Sequence, residues 1–292
     1  MGNKFDISIK IDWDFCQNNS DQLLAEGLYY LSSQSIMNHR EIVSTHRGNY
    51  LILMNKEPYY IGEAKNLIIR LKQQFRTNTT NFYKTYINSN GKDTLKSIEA
   101  FKVQYMETNI GRKEIEEFAI VNIPTKLNKF QRYKRDKVVL SNTYGLWLEV
   151  QRLSFEILTE GERNLFLQNR VPWFSASIPH KAGVYIVWNT VNDKIVYIGE
   201  SSDIGERYKT HSGRTYFSAL RRHIGTEILN FTLKKKNGKA RYFSEDEDVR
   251  VTNILRACKI AFLSIDFGRF ELEELLIRKF HPLLNRKDNE VL

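Results

Sequence analysis

The chain has 292 residues, with 44 Lys and Arg against 34 Asp and Glu, and a formal net charge of +10. This length allows about two domains, and 41% hydrophobic residues exclude a disordered chain. The two cysteines, Cys16 and Cys258, are too few for a disulfide scaffold or a thiolate zinc site, so we expect core cysteines in a reducing, cytoplasmic compartment. No apolar run is long enough to span a membrane, and the basic balance favours a polyanionic partner.

Residues 1–45 are expected to form an N-terminal extension made of a strand and a helix. Apolar and polar residues alternate from Phe5 to Trp13, which is the period of a half-buried strand. Residues 21–33 then follow a helical pattern.

Two later segments share a pattern of short apolar strands joined by a polar turn. One runs from Gly48 to Gly62 and the other from Gly183 to Gly199. Aromatic and β-branched residues on either side of a turn are typical of β-hairpins. Each predicted hairpin carries one tyrosine in each strand: Tyr50 and Tyr60, then Tyr185 and Tyr197.

An arginine follows each hairpin at the same distance. Arg70 lies eight residues after Gly62, and Arg207 lies eight residues after Gly199. Both arginines fall near the start of a predicted helix. The preferred N-cap residues that begin these two helices are Asn66 and Asp203.

A second amphipathic helix in each half carries a glutamate and stops at a proline. Glu116 lies twelve residues before Asn128, and Glu273 lies twelve residues before Asn285. Proline ends a helix because it lacks the amide hydrogen and clashes with the preceding turn.

The repeated order of these residues predicts two copies of one module. The separation between equivalent residues is 137 for the two arginines and 157 for the two glutamates. A separation that changes within one loop is the pattern expected of a duplication with an insertion. We place the first copy at residues 46–130 and the second at 181–292, with the insertion at 213–250.

Residues 131–180 are predicted to form a structured connector that opens with a basic run and contains a helix from Leu146 to Leu158. The acidic residues 245–248 in the second copy are typical of a solvated turn or a helix start. Basic side chains of the connector and the insertion are candidates for contacts with a nucleic-acid backbone, which would make binding depend on salt. These candidates are Arg132, Lys134, Arg135, Arg221, Arg222, Lys234, Lys235 and Lys236.

The repeated residue types suit cleavage of a phosphodiester bond. A single glutamate can hold one Mg²⁺, because this ion keeps several of its waters. An arginine presents a planar fork to phosphate. A tyrosine is a poor base at its ordinary pKa of about 10, but an adjacent cation or arginine lowers that pKa.

At these residues the sequence resembles the GIY-YIG nuclease superfamily. The two motifs correspond to Gly183-Val184-Tyr185 with Tyr197-Ile198-Gly199, and to Gly48-Asn49-Tyr50 with Tyr60-Ile61-Gly62. The first copy is similar to the incision subunit of bacterial excision repair, and the second to stand-alone bacterial members. The resemblance implies an α+β fold with two tandem modules, each a small antiparallel three-stranded sheet flanked by helices.

The resemblance also implies cleavage of DNA, with double-stranded DNA favoured, by a monomer or homodimer that uses Mg²⁺ or Mn²⁺. Carried over by position, Glu273 would bind the metal and Arg207 the scissile phosphate. Tyr185 or Tyr197 would activate the water, with Tyr185 favoured, and Asn285 would support the site.

His211 matches a histidine of homing-type members of this superfamily. It lies one helical turn after Arg207 and so on the same face of the predicted helix. A proton shuttle is one interpretation, and an exposed helix histidine is the other.

In the first copy the equivalent residues are Tyr50, Tyr60, Arg70, Glu116 as the metal ligand, and Asn128. This copy departs at Asn49, where an apolar residue is usual, and at Gln74, which aligns with His211. Because the five polar residues remain, we expect both copies to cut, one strand each, as in a restriction or defence nuclease. The alternatives are a repair or recombination nickase, and a nucleic-acid-binding protein with one or both modules inactive.

Overall fold

The computed structural model describes residues 10–76, 82–90, 96–128, 142–236 and 238–286. The chain divides into two compact units, which we call unit 1 (Met1–Ile157) and unit 2 (Leu158–Leu292). None of the described helices combines the length and the apolar character needed to cross a membrane.

Unit 1 is built around an antiparallel sheet in the order β2-β1-β3. Its elements are α1 (Trp13–Asn18), α2 (Ser20–Ser33), β1 (Gly48–Met54), β2 (Glu57–Ala64), α3 (Leu67–Gln74), α4 (Phe82–Ser89), β3 (Phe101–Glu107), α5 (Arg112–Asn122) and α6 (Gly145–Arg152), and α7 (Ser154–Phe166) continues into unit 2. Strands β1 and β2 form the first predicted hairpin, which is confirmed.

Unit 2 contains an antiparallel sheet in the order β4-β9-β5-β6. Its elements are β4 (Val171–Pro172), β5 (Gly183–Asn189), β6 (Lys194–Ser201), α8 (Ile204–Ser212), α9 (Ala219–His223), β7 (Lys234–Lys236), β8 (Lys239–Tyr242), α10 (Glu245–Arg256), β9 (Cys258–Ser264) and α11 (Arg269–Phe280). The second predicted hairpin, β5 with β6, is confirmed.

The sheet of unit 2 has four strands rather than the three predicted. The added strand, β4, pairs with β9 through Val171 and Ile260. It precedes the predicted start of the second module at residue 181. A two-residue strand has too little alternation to be recognised in the sequence.

The strand predicted from Phe5 to Trp13 is wrong at its C-terminal end, where the chain begins a helix. The side chain of Asp12 accepts a hydrogen bond from the amide of Phe15 at 2.9 Å and caps α1, which begins at Trp13. An aspartate N-cap stabilises a helix by about 1 kcal/mol, and the chain forms a helix here although the alternating pattern predicts a strand. Residues 5–9 lie outside the described residues, whereas the predicted helix at 21–33 is confirmed as α2.

The helix predicted from Leu146 to Leu158 is instead two helices, α6 and α7. Leu153, with φ of −88° and ψ of 10°, separates them. The amide of Leu153 still bonds to Glu149 and its carbonyl to Ile157, both at 3.0 Å, so the break is local. The acidic residues 245–248 begin α10, where Ser244 and Glu247 form a capping box.

Each unit has its own hydrophobic core beneath the sheet. In unit 1 the rings of Tyr59, Phe82 and Tyr86 surround Phe101, with centroids 4.9–5.6 Å from it and edge-to-face geometry. Cys16 and Cys258 are buried and not joined in a disulfide, which confirms that they are core residues. Because β1 and β5 are central strands, their tyrosines lie inside these cores.

Candidate active site

The two tyrosine rings of each hairpin lie near each other, and the ring on the inner strand faces a glycine of the neighbouring strand. Tyr50 is opposite Gly62 in the β1–β2 pair, and Tyr185 is opposite Gly199 in the β5–β6 pair. A Cβ on either glycine would collide with the hydroxyl of the facing tyrosine. Glycine is therefore required here because the phenol crosses the neighbouring strand.

The hydroxyl of Tyr185 in unit 2 contacts a buried histidine. It lies 2.8 Å from Nε2 of His211, whose Nδ1 lies 2.7 Å from Oγ of Ser218. Burial lowers the pKa of His211 to about 3, helped by Arg207, so the imidazole is neutral. The interpretation of His211 as an exposed helix histidine is wrong, since only 1% of its surface is exposed.

Gln74 takes the same place in unit 1. Its Nε2 donates to the hydroxyl of Tyr50 at 2.5 Å, and its Oε1 accepts from the amide of Phe82 at 2.8 Å. The side chain holds the tyrosine as His211 does, but an amide does not titrate near neutral pH.

The pKa values of the hairpin tyrosines are higher than the sequence suggested. Burial raises the pKa of Tyr197 to about 12 and raises that of Tyr185 well above its ordinary value. Arg207 acts in the opposite direction, but it does not outweigh burial. The arginine lowers these pKa values as expected, but burial has the larger effect, so each tyrosine pKa lies above its ordinary value. Burial likewise raises the pKa of Tyr50 and Tyr60, against the effect of Arg70.

Glu273 lies beside the two tyrosines of unit 2. Helix α11 begins after Gly268, whose φ of 88° strains any residue with a Cβ, and it leaves Glu273 half-buried. Oε1 of Glu273 accepts a hydrogen bond from the amide of Glu200 at 3.1 Å. The negative charge of Glu273 contributes to the raised pKa values of Tyr185 and Tyr197. The fold thus brings Glu273 to the hairpin tyrosines and Arg207.

This donor set fits a hard divalent cation. A half-buried carboxylate supplies an oxygen ligand, and Mg²⁺ needs only one or two such ligands because it keeps several waters. Within the described residues, His, Cys, Asp and Glu do not form a cluster of three or more that could hold a metal. The carboxylate of Glu273 is the oxygen ligand that a hydrated ion of this kind would use.

Glu116 occupies the corresponding place in unit 1, but it has a different neighbour. Nζ of Lys113 forms an ion pair with its Oε2 within the first turns of α5. Burial raises the pKa of Glu116, and the opposing charge of Lys113 does not fully compensate. The two predicted metal ligands thus have unlike surroundings.

The two asparagines bind backbone in both units. Asn285 accepts the amide of Ile198 at 2.9 Å and donates to its carbonyl at 2.7 Å. Asn128 makes the same pair of bonds with Ile61, at 2.8 and 2.9 Å. Both therefore secure the edge strand that carries the second tyrosine.

A pair of buried arginines was missed by the sequence analysis. Nε of Arg269 lies 3.0 Å from Oε2 of Glu200, and Nη1 of Arg112 lies 3.5 Å from Oε2 of Glu63. Both arginines are at most 1% exposed. Their separation of 157, the same as for Glu116 and Glu273, was the signal in the sequence that would have revealed them.

The predicted nucleic-acid contacts have mixed outcomes. Arg221 is fully buried, lies 3.0 Å from Asp248 and donates to Thr252 at 2.8 Å, so its prediction as a backbone contact is wrong. Arg222 is half-buried and donates to the carbonyl of Tyr216 at 3.0 Å.

The remaining candidates divide by position. Lys234 and Lys235 are exposed on β7, where Lys234 lies 3.4 Å from Glu247. The side chain of Lys236 lies outside the described part of the chain, as do Arg132, Lys134 and Arg135.

Residues 175–292 match the family model of the GIY-YIG catalytic domain. This match supports the GIY-YIG superfamily for this part of the chain, and it implies a nuclease of the endonuclease type. The matched residues contain both motif strands, α8 and α11. Comparisons with curated proteins and with solved structures found no match.

Proposed function

We propose that unit 2 is a metal-dependent endonuclease that hydrolyses phosphodiester bonds of DNA. The observation that carries this proposal is the convergence of Tyr185, Tyr197, Arg207 and Glu273 within the residues matched to the GIY-YIG catalytic domain. These groups offer a cation ligand, a phosphate-binding fork and proton-carrying hydroxyls.

Each side chain has a chemical role in this proposal. Glu273 would hold Mg²⁺ or Mn²⁺, which would supply positive charge against the negative charge that develops on the phosphate. Arg207 is exposed on α8, and its guanidinium binds a non-bridging phosphate oxygen. Tyr185 takes a proton from the attacking water as its own proton passes to the neutral Nε2 of His211.

We also propose that residues 46–130 are the first of two copies of the module. The support is that equivalent residues make equivalent contacts in the two units. Tyr50 and Tyr185 face glycines, Asn128 and Asn285 bind the edge strands, and Arg112 and Arg269 pair with the glutamate after each motif.

DNA is the proposed partner, with the duplex favoured. The exposed Lys234 and Lys235 on the β7–β8 hairpin are the described candidates for phosphate contacts. Such contacts position a nucleic acid and weaken as salt rises.

The proposed function is tested by cleavage of supercoiled plasmid DNA with Mg²⁺, with Mn²⁺ and with a chelator. We expect cleavage only with a metal, and a fall of about 10²-fold or more in Glu273→Gln and Arg207→Ala, because each removes charge from the reacting phosphate. Arg163→Ala, which removes an exposed arginine of α7, is the matched control and should cleave at the wild-type rate. Wild-type cleavage by Glu273→Gln would disprove the proposal.

A further inference from the structure

We propose that the ammonium group of Lys113 takes the cation position at Glu116, so that unit 2 binds a divalent metal and unit 1 does not. This inference rests on the proposed function, because it concerns the metal of the same site. It assigns unlike roles to two units that share their motif residues.

The contact between Lys113 and Glu116 carries the inference. Nζ of Lys113 is paired with Oε2 of Glu116, and the two side chains are only 22% and 13% exposed. A metal ion would approach the same carboxylate at about 2 Å. Two positive charges that share one half-buried carboxylate repel each other strongly, because water screens them poorly.

Unit 2 carries a phenylalanine at the corresponding position of its helix. Lys113 and Phe270 are both the second residue of their helices, after Arg112 and Arg269. Phe270 is 7% exposed and presents a ring where unit 1 presents an ammonium. Glu273 instead accepts the amide of Glu200 through Oε1.

The position of Lys113 in its helix also needs a reason. The first turn of a helix carries partial positive charge, so a cation there is disfavoured and an anion is favoured. Lys113 stands in that turn of α5. The ion pair with Glu116 compensates for this placement.

A second residue of unit 1 also differs from its counterpart in unit 2 in a way that disfavours catalysis. Gln74 holds the hydroxyl of Tyr50 at 2.5 Å where His211 holds that of Tyr185 at 2.8 Å. Unlike the neutral imidazole, the amide cannot take up the proton that the tyrosine would release. Unit 1 therefore keeps the folded site, but a lysine lies against its carboxylate and an amide holds its tyrosine.

The test is the number of Mn²⁺ ions bound per chain without DNA, measured by the electron paramagnetic resonance of free Mn²⁺. The wild type should bind one ion, and Glu273→Gln none. Lys113→Phe, which copies unit 2, should bind two, and adding Glu116→Gln should return it to one. Lys113→Met repeats the change with a flexible side chain, and circular dichroism verifies the fold of each variant. Lys102→Met, at an exposed position of β3, is the matched control and should leave one ion bound.

Two results would overturn the inference: two ions bound by the wild type, or no gain in either Lys113 variant. Failure of the proposed function looks different, because Glu273→Gln would then cleave plasmid like the wild type. A wild type that binds no ion, with a gain in Lys113→Phe that depends on Glu116, would support the lysine block and contradict the metal site of unit 2.

Discussion

Single residues decide how the two units differ. The motif residues Tyr50 and Tyr185 are placed alike, yet one hydroxyl meets an amide and the other an imidazole. A buried imidazole makes the free energy of unfolding depend on pH, whereas a buried amide does not.

His211→Gln should therefore change the pH dependence of stability. Burial lowers the pKa of His211 to about 3, against 6.5 for a free histidine. The unfolded chain binds this proton as the pH falls below 6.5 and the folded chain does not, so stability is lost between pH 6.5 and pH 3. Between about pH 7 and about pH 5 the loss from this residue is about 2 kcal/mol. Urea denaturation at the two pH values should show a smaller loss in the variant, and equal losses would contradict the assignment.

At the scale of elements, an asparagine that follows α5 in unit 1 and α11 in unit 2 secures the edge strand of the hairpin that carries the tyrosines. In unit 2, Asn285 satisfies both the amide and the carbonyl of Ile198. An edge strand otherwise leaves such groups exposed or unpaired. This contact adds to the β5–β6 pairing that holds the strand of Tyr197.

Asn285→Ala should loosen β6 while the rest of the sheet persists. The variant leaves two buried backbone groups without these partners, at a cost of about 1–3 kcal/mol for each group. Hydrogen exchange at the Ile198 amide should accelerate, and plasmid cleavage should fall as Tyr197 loses its placement. Asn253→Ala, at an exposed position of α10, is the control. An Ile198 amide that stays protected in Asn285→Ala would show that the asparagine does not secure the strand.

For the whole molecule, the proposal of one metal site in each chain predicts a nicking enzyme. A single hydrolysis opens one strand, so double-strand cleavage then requires two chains or two binding events. This outcome differs from the two-strand cleavage by one chain that the retained motif residues suggested.

The order of plasmid products tests this consequence. We expect nicked circles to accumulate first, and linear DNA to appear in proportion to the square of chain concentration if a homodimer forms. The double variant Lys113→Phe with Gln74→His should shift the products toward linear DNA at low concentration, because it removes the lysine from Glu116 and adds an imidazole beside Tyr50. Wild-type chains that make linear DNA directly, at a rate proportional to concentration, would contradict one site per chain.

Local patterns in the sequence were sufficient for the hairpins, the capped helices and the residues that gather at the candidate site. Strand alternation and helix caps depend on neighbours within a few residues, which is why β1, β2, β5 and β6 were predicted correctly. The same local patterns gave a wrong prediction where tertiary contacts decide whether a side chain is buried. Arg221 is basic and adjacent to another arginine, yet it is enclosed by Asp248, Thr252 and Thr215.

The chain order of tyrosine, arginine, glutamate and asparagine was sufficient for the resemblance and for the predicted chemistry, because those residues recur at regular separations. Burial could be learned only from the folded chain. The raised pKa values of the tyrosines and the neutral state of His211 depend on groups packed around them. Lys113 lies three residues before Glu116, so the sequence indicated that the two could pair, but not how little of either side chain is exposed. Spacing along a chain indicates which side chains can meet, but the dielectric surroundings of each group are set by residues distant in sequence.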